Sequence, residues 1–122
     1  MDKRRRGTAI IDTPKGILLT AISHQYLLPG GGPKRGESRL QAAIRETKEE
    51  TGLEPYYAEI LFQYDSHSNK HTVVLIKANG EARPRMEVSK IKYYNSGDDI
   101  KMSSATKVII KKYYQWKKKQ NI

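Results

Sequence analysis

The stretch that decides the fold is GGPKRGESRLQAAIRETKEETGL, at residues 31–53. It predicts one helix, because Ser38 followed three residues later by Gln41 is a capping-box pattern. The helix is expected to end at Gly52, since glycine readily takes the left-handed conformation that closes many helices. Four side chains fall at helical spacing and predict a face packed on the core: Leu40, Ala43, Ile44 and Thr47.

The opposite face of this helix carries the acidic side chains Glu46, Glu49 and Glu50. Their i, i+3 and i+4 spacing places three carboxylates within a sector about 100° wide, where like charges repel. Such a cluster is stable mainly when a cation or an arginine neutralises it, and Mg²⁺ prefers carboxylate oxygens. The pattern therefore indicates a magnesium site, with a solvated Glu/Lys surface around Lys48 as the alternative.

Three consecutive glycines, Gly30, Gly31 and Gly32, precede the helix and lie between two prolines. Glycine lets the backbone approach a ligand closely, and the N-terminus of a helix adds favourable partial charge for an anion. The glycines and the carboxylates together predict a two-sided site in which the glycine backbone contacts the substrate. The alternative is an ordinary glycine-containing turn between a strand and a helix.

The remaining sequence alternates strand patterns with turn signals. Strands are predicted at residues 8–11, 16–22, 26–28, 57–64, 72–78 and 88–94, and the first two are expected to pair across a turn at residues 12–15. A last helix is expected from about residue 103 to residue 119, capped by Ser103 or Ser104. Its apolar stripe is Val108, Ile109, Tyr113 and Trp116. Because 122 residues suffice for one core, residues 1–122 are interpreted as a single α+β domain.

Composition excludes several functional classes. The chain has no cysteine, so any metal must rest on oxygen or imidazole ligands. No apolar run approaches the roughly 18 residues of a membrane span, and no signal-peptide pattern follows the basic N-terminus. A cytoplasmic protein without membrane contact is therefore expected. The net charge of +10 favours encounter with phosphates, nucleotides or nucleic acid, although the lysines near the C-terminus are interpreted as solvated.

The spacing of residues 31–53 resembles the Nudix box, the signature of the Nudix hydrolases. The matching residues are Gly31, Glu37 after five residues, Arg45-Glu46 after seven, then Glu49-Glu50 and Gly52-Leu53. The family usually has an aliphatic residue where this chain has Thr47, whose hydroxyl needs a partner if it is buried. The order of strands and helices is also similar over nearly the whole chain. The resemblance implies a MutT-like Nudix fold, with a mixed β-sheet sandwiched between helices.

The same resemblance implies a role for each matching residue. Glu46, Glu49 and Glu50 would hold Mg²⁺, or Mn²⁺ in its place, together with a backbone carbonyl of Gly30 or Gly31. Arg45 would orient a glutamate. Either Glu49 or Glu46 would direct water in line at phosphorus, without a covalent intermediate.

Other side chains are candidates for an extension of this site. Some members of the family recruit a later carboxylate, for which Asp98, Asp99 and Glu87 are available, although acids at turns are ordinarily solvated. Glu37 is expected to steady the loop and the start of the helix rather than bind the ion.

The histidines give only weak indications of a site. His67 and His71 flank a predicted hairpin turn, and a zinc site would need a third ligand that the sequence does not supply. Both are interpreted as exposed turn residues. His24 lies near the glycines and is interpreted as a solvated hairpin residue, with contact to a nucleobase as the alternative.

The function that the resemblance implies is a pyrophosphatase acting on a nucleoside diphosphate linked to another group. Motifs of ADP-ribose, dinucleoside polyphosphate and coenzyme A hydrolases are not matched in the flanking residues, which leaves a nucleoside triphosphate as the leading substrate. The alternatives are a diphosphoinositol phosphate or an RNA 5′ end, which suit a basic surface, and a non-enzymatic nucleotide- or RNA-binding module. The expected partner is a small phosphorylated molecule, and nucleic acid is not required.

Overall fold

The computed structural model describes residues 2–120 and has two helices and eight strands within that range. In chain order they are β1 (Arg4–Ile10), β2 (Asp12–Thr13), β3 (Gly16–Ala21), β4 (Tyr26–Leu27), β5 (Gly30–Gly31), α1 (Arg39–Thr51), β6 (Glu54–Asp65), β7 (Asn69–Asn79), β8 (Lys90–Tyr94) and α2 (Ser104–Gln120). The predicted α+β class is confirmed, and every predicted strand and helix has a counterpart.

The strands form two four-stranded sheets. The first has the order β5-β1-β7-β6, with β1 parallel to β7 and the other pairs antiparallel. The second has the order β2-β3-β4, with β8 antiparallel to β3 on its other side.

The predicted pairing of residues 8–11 with residues 16–22 is wrong. The strand β1 lies between β5 and β7 in the first sheet, whereas β3 pairs with β2 and β8 in the second. Only one hydrogen bond, from Leu18 N to the Ile11 carbonyl at 3.0 Å, follows the expected pairing. The physical reason is burial on both faces of β1, which favours a central strand over one arm of a hairpin.

Two hydrophobic cores lie on opposite faces of the sheets. One core joins Ile10 of β1 to Ile109 and Tyr113 of α2, and the other joins Ala9 of β1 to Ala43 of α1. Neighbouring residues of β1 therefore point to different helices, as the two-residue period of a strand requires. The expectation of β-structure sandwiched between helices is confirmed.

The helix α1 begins and ends where its sequence signals predict. Ser38 Oγ accepts a hydrogen bond from Gln41 N at 3.0 Å, and Ser38 N donates to Gln41 Oε1 at 2.8 Å, which completes the capping box. Gly52 closes the helix with φ of 73°. On the packed face Ala43 and Thr47 are fully buried, while Leu40 and Ile44 are partly buried.

Contact between α1 and β1 depends on Gly7. A Cβ atom on Gly7 would lie 2.0 Å from the Arg39 carbonyl oxygen and 2.8 Å from Ala43 N, both in the backbone of α1. The helix can therefore rest directly on the strand only because residue 7 has no side chain. This contact fixes the height of the acidic face of α1 above the glycines of β5.

The hydroxyl of Thr47 has a partner, as its burial requires. Thr47 Oγ1 donates to the Ala43 carbonyl at 2.8 Å, and no buried side-chain nitrogen or oxygen in residues 2–120 lacks a hydrogen bond. Threonine is accommodated where the family usually has an aliphatic residue, because its hydroxyl forms a hydrogen bond within the helix.

Substitution of Thr47 by valine is expected to change the free energy of unfolding by less than about 1 kcal/mol, since the lost bond is offset by apolar burial. Thr51→Val is the matched comparison, because Thr51 Oγ1 also accepts from the buried Leu53 N at 3.3 Å. That variant should cost about 1–2 kcal/mol, because a buried amide loses its partner. Urea melts of both variants test the contrast, and an equal loss in the two would contradict it.

The helix α2 covers the other core. Ser103 Oγ accepts from Thr106 N at 3.1 Å, so Ser103 rather than Ser104 is the capping residue. Ile109 and Tyr113 of the predicted stripe are buried, and Trp116 stacks on Tyr113 with ring centroids 6.0 Å apart. No helix within residues 2–120 is long and apolar enough to span a bilayer.

Candidate metal and phosphate site

The glycines before α1 form β5 and are held against β1 by backbone pairing. Gly31 lies opposite Gly7, and Gly30 lies opposite Thr8. Gly30 has φ of 151°, and a Cβ atom there would lie 2.2 Å from the Gly7 carbonyl oxygen. Only glycine fits this position, so the loop follows a path that leaves its backbone close to α1.

Gly31 is the point at which this loop meets the acidic face of α1. A Cβ atom on Gly31 would lie 2.7 Å from Glu46 Oε2, so the carboxylate sits directly against the glycine backbone. Gly30 N donates to Glu50 Oε1 at 3.2 Å. Loop and carboxylates are thus brought together as the sequence predicts.

Arg45 organises the carboxylates around it. Its Nε donates to Glu37 Oε2 at 2.8 Å and its Nη2 to Glu37 Oε1 at 2.9 Å, a two-pronged ion pair. Its Nη1 donates to Glu46 and, at 3.1 Å, to Glu49 Oε2. Nη2 also reaches the Gly32 carbonyl at 3.2 Å. One guanidinium therefore links the loop to two of the three clustered glutamates.

Glu37 connects the glycine loop to α1, as expected from the sequence. Besides Arg45, it accepts from Lys34 N at 2.9 Å. The hydrogen bonds from the Arg45 guanidinium, followed by the one from the Lys34 amide, lower the pKa of Glu37 to about 2. Glu37 is therefore ionised at any physiological pH and pins the loop to the helix.

Glu50 has the opposite electrostatic environment. Burial raises the pKa of Glu50 well above its ordinary value, and the nearby Glu46 raises it further, against the lowering effects of the Gly30 amide and Arg6. Glu50 therefore holds its proton more readily than a free glutamate, mainly because burial removes its carboxylate from water.

The three glutamates line one cavity of about 230 Å³ together with Ile22, Met86, Glu87 and Val88. Glu87 is thus the later carboxylate that the structure brings to the cluster. Its loop is tied to the end of α1, because Arg83 N donates to the Thr51 carbonyl at 2.9 Å and Arg85 N to the Glu50 carbonyl at 3.0 Å. Met86 has a positive φ of 58°, a strained conformation for a residue other than glycine, directly beside Glu87.

Asp98 and Asp99 are placed elsewhere. They line a separate groove with Tyr94, Lys107 and Tyr114, between α2 and the loop before it. Asp98 Oδ2 accepts from Asn95 N at 2.8 Å, so this acid closes a turn.

Comparison with known proteins identifies the family. The family model described as NUDIX domain matches residues 2–116. The chain belongs to the NUDIX domain family.

Individual Nudix relatives agree with this assignment. A Methanocaldococcus jannaschii protein named ADP-ribose pyrophosphatase is 30% identical over 99 residues, covering 75% of this chain. The chain spans only 59% of the length of that relative. Among solved structures, a nudix hydrolase family member from Chromobacterium violaceum is 40% identical, with a TM-score of 0.88 over 93% of this chain and 78% of that one. A MutT structure from work on Aliivibrio salmonicida and Vibrio cholerae has a TM-score of 0.75 at 21% identity, over 91% and 96% of the two chains, and shows the shared fold.

The donor groups of the Nudix helix fit a hard divalent cation. Glu46, Glu49 and Glu50 offer carboxylate oxygens to one cavity, and the glycine loop offers backbone carbonyls beside them. As they stand, no three histidine, aspartate or glutamate side chains within residues 2–120 are arranged to hold a metal ion. Arg45 and the Gly30 amide hold the three glutamates in this arrangement, so a cation would compete with them.

His71 is not an exposed turn residue, which corrects the sequence interpretation. It is buried in β7, with Nδ1 2.7 Å from Thr8 Oγ1 and Nε2 3.1 Å from Ser66 Oγ. Both ring nitrogens are therefore occupied, which argues against a zinc role with His67. His67 and His24 are exposed, as expected.

Arg6 is the residue near this site that sequence reasoning missed. Its Nη2 donates to the Leu28 carbonyl at 2.8 Å, just before the glycine loop, and its Nε donates to Thr8 Oγ1 at 3.2 Å. It lies in the basic run of residues 3–6. The alternation of side chains along a strand is the sequence pattern that could have predicted its inward orientation.

Proposed function

We propose that this protein hydrolyses a phosphoanhydride bond in a nucleoside diphosphate linked to another group, with Mg²⁺, or Mn²⁺ in its place, as the cofactor. The observation that carries the proposal is the cavity shared by Glu46, Glu49, Glu50 and Glu87 beside the glycine loop. Four carboxylates share one small cavity, Arg45 forms ion pairs with two of them, and bound phosphate would add further negative charge. A divalent cation neutralises both sets of charges at once.

Glu46, Glu49 and Glu50 hold the metal in this proposal, with a backbone carbonyl of Gly30 or Gly31. When bound, the metal neutralises charge on the phosphates and lowers the pKa of a coordinated water. Gly30, Gly31 and Gly32 present backbone to the substrate in this proposal. Side chains are excluded at the first two positions, because a Cβ atom there would collide with Gly7 or Glu46.

Arg45 orients Glu46 and Glu49 through the ion pairs described above. Glu49 or Glu46 takes the proton from the attacking water, and Glu87 is the additional carboxylate available across the cavity. Glu49 has the more accessible side chain, with 37% exposure against 20% for Glu46.

A substrate panel with Mg²⁺ tests this function. A nucleoside triphosphate is the leading substrate, and the name of the M. jannaschii relative adds ADP-ribose to the panel although the flanking residues lack that pattern. Nucleotide sugars and dinucleoside polyphosphates complete it. Release of a nucleoside monophosphate that stops when EDTA is added supports the proposal. Specific nucleotide binding without any product would replace it with a non-enzymatic binding module.

A basic recess favours a second substrate class, in which the molecule carries more phosphates than a nucleotide. Arg4, Arg5 and Arg6 line a cavity of about 550 Å³ with Gly32 and Pro33 of the glycine loop. Since β5 pairs only with Gly7 and Thr8, the edge of β1 at Arg4 and Arg5 is open beside the loop. A diphosphoinositol phosphate or an RNA 5′ end would place its additional phosphates there.

The double variant Arg4→Gln/Arg5→Gln separates these substrates. It is expected to raise KM for a diphosphoinositol phosphate at least about tenfold and KM for ATP less than about threefold, because the former carries several phosphates beyond the reacting pair and ATP only one. Lys111→Gln/Lys118→Gln removes the same charge from α2 and serves as the control. Equal changes of KM in both double variants would show that the effect arises from net charge alone, and the recess would not be a binding site. An effect confined to 5′-triphosphate RNA would assign the recess to nucleic acid instead.

A further inference from the structure

We infer that Arg6, Thr8, His71 and Ser66 form one directed hydrogen-bond network that holds the glycine loop in place, and that Arg6 and His71 are positioning residues of the Nudix site. This network lies outside residues 31–53 and joins the loop to the β6–β7 turn across the sheet. The inference rests on the proposed function only for its consequence in catalysis, because the network itself can be measured without substrate.

The loop is anchored at two successive carbonyl groups. Arg6 Nη2 donates to the Leu28 carbonyl at 2.8 Å, and Ala9 N donates to the Pro29 carbonyl at 2.8 Å. A Cβ atom on Gly30 would lie 3.2 Å from Arg6 Nη2, so the guanidinium also contacts the backbone of the glycine that faces Glu50. Loss of the Arg6 bond would leave Leu28 without this donor and free the loop on its buried side.

The direction of each bond in the network follows from the donor inventory. A guanidinium can only donate, so Arg6 Nε donates to Thr8 Oγ1. The hydroxyl of Thr8 still has its own proton to donate, and we assign His71 Nδ1, 2.7 Å away, as the acceptor. The proton of the neutral ring therefore resides on Nε2 and is donated to Ser66 Oγ at 3.1 Å.

Ser66 completes the network in the β6–β7 turn. Its Oγ accepts from Asn69 N at 3.1 Å and donates to the Asn69 carbonyl at 3.3 Å. Every polar hydrogen from Arg6 Nε to Ser66 then has one acceptor, whereas reversal of the histidine tautomer would leave the Thr8 hydroxyl proton without an acceptor among these four residues. The β6–β7 turn thus orients the His71 ring, and the His71 ring orients the Thr8 hydroxyl beneath the glycine loop.

The electrostatic surroundings of His71 keep its ring neutral. Burial and the positive charge of Arg6 lower the pKa of His71 to about 4, against an opposing effect from Asp65. Tyr64 packs beside the ring, with centroids 6.0 Å apart. A neutral ring with one fixed tautomer is the form that the network requires.

Nitrogen-15 NMR of the histidine side chains in the whole protein tests the direction of the network. We expect His71 to show a neutral ring protonated on Nε2 at pH 7 and to titrate near pH 4. Thr8→Val should change the tautomer signature of the ring, and Thr8→Ser, which restores the hydroxyl, should recover it. A ring protonated on Nδ1 in the unmodified protein, or titration near pH 6.5, overturns the network.

Amide hydrogen exchange tests the effect on the loop. Thr8→Val is expected to speed exchange of the Gly30 and Gly31 amides at least about tenfold, and Thr8→Ser to restore the slow rate. Thr20→Val is the matched control, since Thr20 is also buried and its hydroxyl makes only a long bond of 3.5 Å to the Leu27 carbonyl. Equal exchange in Thr8→Val and Thr20→Val would remove the positioning role. A negative substrate panel with the NMR and exchange results intact would overturn the proposed function and leave the network standing.

Discussion

Replacement of Glu49 or Glu50 by glutamine is expected to lower turnover at least about a hundredfold while the fold stays intact. Both side chains line the cavity that we assign to the metal. An amide keeps the size of the side chain but removes the negative charge, so a bound cation would lose one ligand and the attacking water would lose its activation. The measurement is kcat with saturating Mg²⁺, beside a thermal melt of each variant.

The fold should survive these substitutions for an electrostatic reason. Burial and Glu46 raise the pKa of Glu50, so its charged form is destabilising in the metal-free protein and a neutral amide should hold or raise the melting temperature. Glu54→Gln is the control, because Glu54 is exposed at the start of β6 and its nearest cation, Lys48, is 4.0 Å away. Unchanged hydrolysis in both site variants would remove this cavity as the active site.

Gly7→Ala is expected to be strongly destabilising, costing at least about 3 kcal/mol in the free energy of unfolding. The new methyl group would lie 2.0 Å from the Arg39 carbonyl oxygen and 2.8 Å from Ala43 N. Both atoms belong to helix backbone, which cannot rotate away as a flexible side chain can. The helix α1 must therefore move off β1 or the sheet must distort.

Gly32→Ala is the matched control for this substitution. A Cβ atom on Gly32 would meet the Arg5 carbonyl oxygen at 3.5 Å, an ordinary contact. Urea unfolding of both variants should show a large loss for Gly7→Ala and a change within about 1 kcal/mol for Gly32→Ala. Similar stability of the two would mean that α1 does not rest on β1 as described.

The local part of the site could be predicted from the sequence because its signals are local. Ser38, Gln41 and Gly52 fix the register of α1, and that register alone places Glu46, Glu49 and Glu50 on one face. The glycines before the helix had to lie near its start. No long-range information was needed for these conclusions.

The partners of each strand could not be predicted in the same way. Residues 8–11 and 16–22 looked like a hairpin because a turn signal separates them, whereas the backbone of β1 is paired with β7 from the far half of the chain. The inward position of His71 depends on that pairing, since its partner Thr8 is distant in sequence. Burial of a polar residue through a distant partner leaves no periodic signal.

The sequence was equally unable to show which of the later acids lies at the site. Glu87 reaches the cavity because the amides of Arg83 and Arg85 are bound by the end of α1. Asp98 and Asp99 occupy an equally polar turn that closes beside α2. Sequence alone shows three acids in turns and cannot say which turn folds back over the helix.

The parallel pairing of β1 with β7 also sets an order of events during synthesis. Arg4 pairs with Asn69 and Ile10 with Leu75, so β1 lacks its parallel neighbour until the ribosome has passed residue 75. At about 5–20 residues per second this wait lasts several seconds, during which the apolar end of β1 is uncovered. The helix α1 rests on the same strand at Gly7. The sheet that supports the acidic helix is therefore completed late, although all residues of the helix emerge early.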